Sequence, residues 1–177
     1  MSQPVPPEAT TPTAATSRGV IRQVPAEATR PLRQQVLRPH QRVEEVGFAG
    51  DDAEEAAHFA AFEGPEDGAP MVGIASVVPE APDPPIDASN PAGWWRLRGM
   101  ATAEDQRRKG LGAALVAAVI DHVARRGGTA VWCNARVPAV GFYRHLGFVT
   151  IGEPWEKDPY VGPHITMWRP VSLPPTT

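Results

Sequence analysis

The sequence predicts a mixed α/β fold, a sheet flanked by helices, and three observations support this prediction. Strand-like and helix-like segments alternate through most of the 177 residues. No proline occurs between Pro91 and Pro138, so this window should hold the most regular part of the fold. From about Arg108 to Arg126, apolar residues recur at the spacing of one helix face. Strands that alternate with helices in this way are typical of a single α/β domain.

The first half of the chain predicts a strand, a short helix and a hairpin. GVIRQVPA is the first strand, and RPLRQQVLRP is a short helix with Leu32, Val36 and Leu37 on one face. AAHFAAFE and PMVGIASVVPE form a hairpin around GPEDGAP, a loop dense in turn-forming residues. The proline-rich stretch from Pro79 to Pro91 cannot be a regular element, so we expect an exposed loop.

The second half predicts a strand, a long helix and a closing set of four elements. GWWRLRGMAT is the strand, and the helix that follows ends at Gly127 and Gly128. The remaining elements are a strand TAVWCNA, a short helix PAVGFYRHLG, and two strands, FVTIGEP and HITMWRP.

Composition divides the chain and excludes several classes of partner. Residues 1–17 hold Pro, Thr, Ala and Ser without an aromatic residue, which predicts a disordered arm before a domain over 18–170 and a flexible tail over 171–177. The net charge of −3 argues against a nucleic-acid partner. The run LGAALVAAVI is too short to span a membrane, and no signal peptide is evident. The single cysteine, Cys133, excludes an internal disulfide and suits a soluble cytoplasmic protein.

The stretch QRRKGLGAAL, residues 106–115, concentrates cations and glycines where the long helix begins. Backbone N–H groups in a first helical turn have no intrahelical partner, and the helix dipole adds partial positive charge there. Gly110 and Gly112 leave room for a ligand to approach these donors. The stretch therefore predicts a phosphate or pyrophosphate site, with a glycine-rich turn before a solvated basic helix as the alternative. The P-loop and dinucleotide-binding patterns both fail here.

A second motif, about thirty residues further on, accompanies this stretch. Together they resemble the GCN5-related N-acetyltransferase (GNAT) superfamily. The first motif, [RQ]-x-x-G-x-[GA], matches Arg107, Gly110 and Gly112. The second, A-x-x-F-Y-x-x-x-G-F, matches Ala139, Phe142, Tyr143, Gly147 and Phe148. The resemblance covers residues 19–169 and implies the GNAT fold, a mostly antiparallel sheet of six to seven strands, splayed at the cofactor site.

The resemblance implies acetyl-CoA, or a close acyl-CoA, as the acyl donor. No set of His, Cys and Asp residues has the spacing of metal ligands, so we expect no metal. The residues expected to contact this cofactor are Met100, Ala101 and Thr102 along the pantetheine, Arg107, Arg108, Lys109, Gly110, Leu111, Gly112 and Ala113 at the pyrophosphate, and Asn134 and Phe142. One position departs from the family pattern. The family usually has asparagine three residues before the motif alanine, where this chain has Arg136.

The family transfers the acetyl group by direct attack of an amine, which needs an acid for the thiolate and a base for the amine. The resemblance implies that Tyr143 is the acid. The strand WWRLRGMA lacks the glutamate that often serves as base, so the candidates are His164, His58, Glu45 and the Asp51–Asp52 pair. We single out His164 because a histidine titrates near neutral pH, although a structural histidine is the more common case.

The substrate and the wider function stay open at this level. A small-molecule amine and a peptide or lysine amine are both possible acceptors, and a homodimer is possible. Arg96 and Arg98 share a strand face and could bind an acidic substrate, although exposed strand charges are the more common case. The alternative function is a CoA-binding sensor or scaffold without catalysis.

Overall fold

A computed structural model describes residues 19–86, 90–156 and 158–172. The predicted arm and most of the predicted tail lie outside these ranges. The helices are α1 (Arg30–Leu37), α2 (Leu111–Arg125) and α3 (Val140–His145). The strands are β1 (Val20–Val24), β2 (Ala57–Phe62), β3 (Met71–Pro79), β4 (Trp94–Thr102), β5 (Ala130–Arg136), β6 (Val149–Glu156) and β7 (Pro163–Pro170).

The seven strands form one sheet in the order β1-β2-β3-β4-β5-β7-β6. Every neighbouring pair is antiparallel except β4 and β5, which run parallel. The prediction of a mixed, mostly antiparallel sheet is therefore confirmed, as are the hairpin between β2 and β3 and the order of strands and helices along the chain.

The two central strands pair only where they begin. The register between β4 and β5 covers Trp94 to Arg96 on one side and Ala130 to Trp132 on the other. Beyond this point the strands separate, while each keeps its antiparallel neighbour on the far side. A register shift between β3 and β4 falls at Gly99, whose φ of +60° suits a residue without a side chain. The sheet is thus open in the middle.

The helices cover both faces of the sheet. The apolar face of α2, including Leu115, Val119 and Val123, packs with the largest buried cluster of the protein. On the opposite face, Leu32 of α1 packs against Ala60 and Ile74. The short helix α3 lies against β5 and contributes the buried ring of Tyr143. The largest cluster contains residues of both β4 and β5, so this core continues across the two strands that separate.

No helix within the described ranges combines the length and apolar character that crossing a membrane requires.

Candidate active site

The gap between β4 and β5 opens into a cavity of about 940 Å³. Tyr143, His164 and all the expected cofactor contacts except Lys109 line it. The Lys109 ammonium instead donates to the side-chain oxygen of Gln106, at 2.9 Å. The fold therefore brings the two motifs to one place, although 30 residues separate Gly112 from Phe142 in the chain.

One end of the cavity is the N-terminus of α2. The helix begins at Leu111, later than the Arg108 expected from periodicity, because two residues before it have positive φ angles. Gly110 takes the left-handed conformation (φ +82°), and Arg108 does so as well (φ +63°). Gly110, Leu111, Gly112 and Ala113 all line the cavity, so the first turn of α2 lies against it. The exposed side chains of Arg107 and Arg108 add positive charge at its edge.

Gly112 lies where the two motifs meet. A β-carbon at this position would lie 3.1 Å from two ring carbons of Phe142 and 3.3 Å from the methyl carbon of Met100. Such distances are tighter than ordinary side-chain contacts, so the ring and the methionine occupy the space that any larger residue would need. A side chain at this position would therefore have to displace Phe142 or Met100 by a few tenths of an ångström.

The side wall is the unpaired edge of β4. After Arg96 this strand has no partner on the β5 side, so Met100 and Thr102 lie along an open strand edge. Across the gap, the Asn134 side-chain oxygen accepts a hydrogen bond from the Thr166 hydroxyl at 3.1 Å. That bond fixes the orientation of the amide and leaves its NH₂ group as the donor.

Tyr143 lines the cavity from α3, and its ring is buried between Phe142 and Phe148 at centroid distances of 5.0 and 5.3 Å. Its hydroxyl has no hydrogen-bond partner among the described residues. The hydroxyl oxygen is nevertheless accessible to solvent, which indicates that it faces the cavity. Burial, with a smaller contribution from Cys133, raises the pKa of Tyr143 well above its ordinary value. The hydroxyl is therefore protonated at neutral pH.

Cys133 also reaches the cavity, from β5, but it is 2% exposed. Burial raises the pKa of its thiol to about 12. A thiol held neutral in this way is a poor nucleophile. This agrees with a structural role for the cysteine.

The candidate bases separate into one residue at the cavity and several away from it. His164 lines the cavity, is 5% exposed, and stacks on Trp155 with ring centroids 5.6 Å apart. Its Nδ1 lies 2.8 Å from the Gly162 carbonyl oxygen. A carbonyl can only accept, so Nδ1 carries the proton and Nε2 is the basic nitrogen of the neutral ring.

The other candidate bases do not line the cavity. Both ring nitrogens of His58 are engaged, Nδ1 with the Ser76 hydroxyl at 2.7 Å and Nε2 with the Asp51 carbonyl oxygen at 2.9 Å. Glu45 is exposed and pairs with Arg42 at 2.9 Å. Asp52 is exposed on a loop, next to the buried Asp51.

Asp51 instead joins two arginines beneath the cavity. Its carboxylate accepts from Arg33 at 2.7 Å and from Arg98 at 3.1 Å. The Arg33 and Arg98 guanidinium carbons lie 4.1 and 5.2 Å from the ring centre of Phe48, which lines the cavity. Burial alone would raise the pKa of Asp51, but hydrogen bonds from Arg33 and the Phe48 N–H, with the two arginine charges, hold it below its ordinary value. The cluster ties α1 to β4.

Sequence reasoning missed Arg33, which is fully buried and also donates to Ser76 at 3.1 Å. One signal was available. Arg33 lies three and four residues before Val36 and Leu37, which places it on the apolar face of α1. The position of Arg38 at the cavity was also missed. Arg38 lines the cavity and follows the end of α1, where nothing in the sequence distinguishes it from a solvated charge.

No group of three or more His, Cys, Asp or Glu side chains suited to a metal ion occurs in the described part of the chain.

Comparison with known proteins finds similarity in sequence and similarity in structure. A model of the acetyltransferase (GNAT) family matches residues 23–148. The uncharacterized N-acetyltransferase YitI of Bacillus subtilis (strain 168) is 36% identical over 149 residues, which cover 84% of this chain and 94% of that protein.

Solved structures share the fold at lower identity. The ribosomal-protein-S18-alanine N-acetyltransferase from Escherichia coli superposes with a TM-score of 0.63 at 21% identity, covering 88% of this chain and 96% of that one. An aminoglycoside 6'-N-acetyltransferase complexed with coenzyme A superposes with a TM-score of 0.59 at 17% identity, covering 89% and 99%.

Proposed function

Because this chain belongs to the GNAT family and is an acyltransferase, we propose that it transfers an acetyl group from acetyl-CoA directly to a primary amine. The observation that carries the proposal is that one cavity contains both the N-terminus of α2 and the Tyr143 hydroxyl. A cytoplasmic location completes the proposal, since the lone cysteine suits a reducing compartment.

The residues along the cavity fit the donor. Backbone N–H groups from Arg108 to Ala113 would hold the pyrophosphate, helped by the dipole of α2. The free edge of β4 at Met100, Ala101 and Thr102 would pair with the pantetheine amides as a further strand. When bound, the cofactor supplies an activated thioester. The positive charges of Arg107 and Arg108 favour the phosphates at the cavity edge.

A bound thioester would need a hydrogen-bond donor at its carbonyl oxygen, where negative charge would develop. We assign the N–H of Met100 or Ala101 as its donor, because the bulge at Gly99 interrupts the pairing of β3 with β4 just before these residues. A backbone donor held in the sheet needs no reorganisation during the reaction.

Tyr143 would donate its proton to the departing thiolate. A hydroxyl that stays protonated well above neutral pH, faces the cavity and is held by packed rings meets the demands on a general acid. His164 would receive the proton of the amine, directly or through water, because it lines the cavity and the Gly162 carbonyl holds its imidazole in place.

The experiment is release of free CoA thiol from acetyl-CoA in the presence of a panel of primary amines. We expect amine-dependent release that saturates with both substrates. Acetyl-CoA binding without thiol release for any amine, in a correctly folded protein, would favour the non-catalytic sensor instead.

A further inference from the structure

The charged side chains that line the cavity are all positive. Its described lining contains no aspartate or glutamate. It contains six arginines: Arg38, Arg96, Arg98, Arg107, Arg108 and Arg136. The chain as a whole carries a net charge of −3, so this positive charge is local to the cavity. A cavity with such a lining favours an anionic ligand.

Two of these arginines already have a carboxylate partner within the protein. Arg96 pairs with Glu80 at 2.8 Å, and Arg98 shares Asp51 with Arg33, at 3.1 Å from Arg98. Arg107 and Arg108 belong to the loop before α2, where the cofactor phosphates are proposed to lie.

The remaining two, Arg38 and Arg136, converge at the end of α1. Nη1 of Arg38 and Nη2 of Arg136 both donate to the carbonyl oxygen of Leu37, at 3.1 and 3.2 Å. No carboxylate of the described chain forms an ion pair with either guanidinium. Two positive charges that share one neutral acceptor repel each other, and an anion between them would relieve that repulsion.

The chemistry of the pair suits a carboxylate. Guanidinium groups remain charged in proteins and match a carboxylate through two parallel N–H donors. Burial, followed by the charges of Arg38 and Arg107, lowers the pKa of Arg136, and a nearby negative charge would oppose this shift. The bond to Leu37 uses one donor of each side chain and leaves the others for a ligand.

The position of the pair relates it to the proposed base. Arg136 and His164 lie directly opposite each other on antiparallel β5 and β7. Side chains opposite each other in such a pair project to the same face, with β-carbons about 5 Å apart. The side chains of Arg136 and His164 therefore project from neighbouring points of the same cavity wall.

We infer that Arg38 and Arg136 bind the carboxylate of the acceptor, which assigns the substrate class as amines that also carry a carboxylate, such as amino acids. This inference rests on the proposed function. With its carboxylate at the two arginines, the acceptor has its amino group near His164, which accepts the proton, and near the thioester carbon. The nitrogen–carbonyl bond forms, the carbon–sulfur bond breaks, and the thiolate takes the Tyr143 proton.

The test uses α-, β- and γ-amino acids, each compared with its own carboxamide, in the thiol-release assay. We expect the wild-type protein to prefer the carboxylate of a matched pair. Arg38→Gln and Arg136→Gln should each raise the Michaelis constant for that amino acid roughly 10- to 100-fold, the range for a lost charge-assisted hydrogen bond. The Michaelis constant for the carboxamide and the dissociation constant for acetyl-CoA should hardly change.

Arg42→Gln is the matched control, because Arg42 is exposed, pairs with Glu45 and does not line the cavity. Calorimetry of the amino acids with the CoA-loaded protein gives a second readout that does not need turnover. Equal use of acids and carboxamides would overturn the inference. So would variants that lose acetyl-CoA affinity with unchanged acceptor selectivity, since the arginines would then serve the cofactor. If no amine is acetylated, the proposed function fails, and amino-acid binding by calorimetry alone decides the inference.

Discussion

At the scale of single residues, Tyr143 combines a buried ring with a hydroxyl that faces the cavity. The rings of Phe142 and Phe148 hold it from two sides, so the position of its oxygen does not depend on a hydrogen bond. Removing the hydroxyl therefore removes chemistry while it leaves the packing unchanged.

We expect Tyr143→Phe to lower the turnover number about 10²- to 10⁴-fold, the usual contribution of a general acid, with little change in acetyl-CoA affinity. Thiol release and calorimetry measure the two quantities. Tyr160→Phe is the matched control, since Tyr160 is the other tyrosine of the chain and is 80% exposed. Unchanged turnover in the Tyr143 variant, on an accepted substrate, would remove the tyrosine from the mechanism.

At the scale of elements, Asp51 holds α1 and β4 together through Arg33 and Arg98. We expect Asp51→Asn to lower the free energy of unfolding by about 3–5 kcal/mol, because it leaves two buried arginines without their counter-charge. Urea denaturation measures this change. Asp52→Asn, one residue further on and exposed, should leave the stability within about 0.5 kcal/mol.

The lowered pKa of Asp51 also predicts how the stability of the protein changes in acid. Its pKa in the folded protein lies below the ordinary value of 3.8, so the folded state favours the ionised form. Asp51 therefore stabilises the protein fully above that value, and its contribution is lost as the pH falls below 3.8. Denaturation curves for wild type and Asp51→Asn should converge in this window. A difference that stayed constant down to strong acid would contradict the assignment.

A second element, the start of α2, depends on Gly112. We expect Gly112→Val to weaken acetyl-CoA binding about tenfold or more, because its side chain must displace Phe142 or Met100. Gly141→Val is the control, since a β-carbon at helical Gly141 meets no atom within 4 Å. Circular dichroism should report intact helices in both variants. Equal cofactor affinity in the two proteins would show that the space at Gly112 is not needed.

At the scale of the whole molecule, the sequence predicts the elements better than it predicts how they meet. Periodicity and turn residues predict every strand and helix, because these signals are local. The start of α2 is an exception, since its boundary depends on the positive φ of Arg108, which a periodic pattern does not report. The Arg33–Asp51–Arg98 cluster joins residues that are 18 and 47 positions apart, and only the folded sheet brings them together.

The N-terminal arm gives a prediction at this scale. Every helix and strand of the described chain begins at or after Val20. A shortened chain that starts at Arg18 should therefore keep its melting temperature and its acetyl-CoA affinity. Differential scanning fluorimetry and calorimetry test both. If the arm covers the acceptor instead, only the Michaelis constant for the amine changes, and a shortened chain that unfolds would contradict both interpretations.

The gap between β4 and β5 also affects the stability of the folded protein when no ligand is bound. The sheet has two unpaired strand edges in its interior, one on β4 and one on β5. Unpaired strand edges can form hydrogen bonds with a further strand. A cofactor that pairs with them acts as a ligand of the native state and stabilises it by mass action, by about 2.7 kcal/mol at a hundredfold excess over its dissociation constant. If acetyl-CoA binds as proposed, the folded fraction of the protein should therefore rise with the concentration of acetyl-CoA.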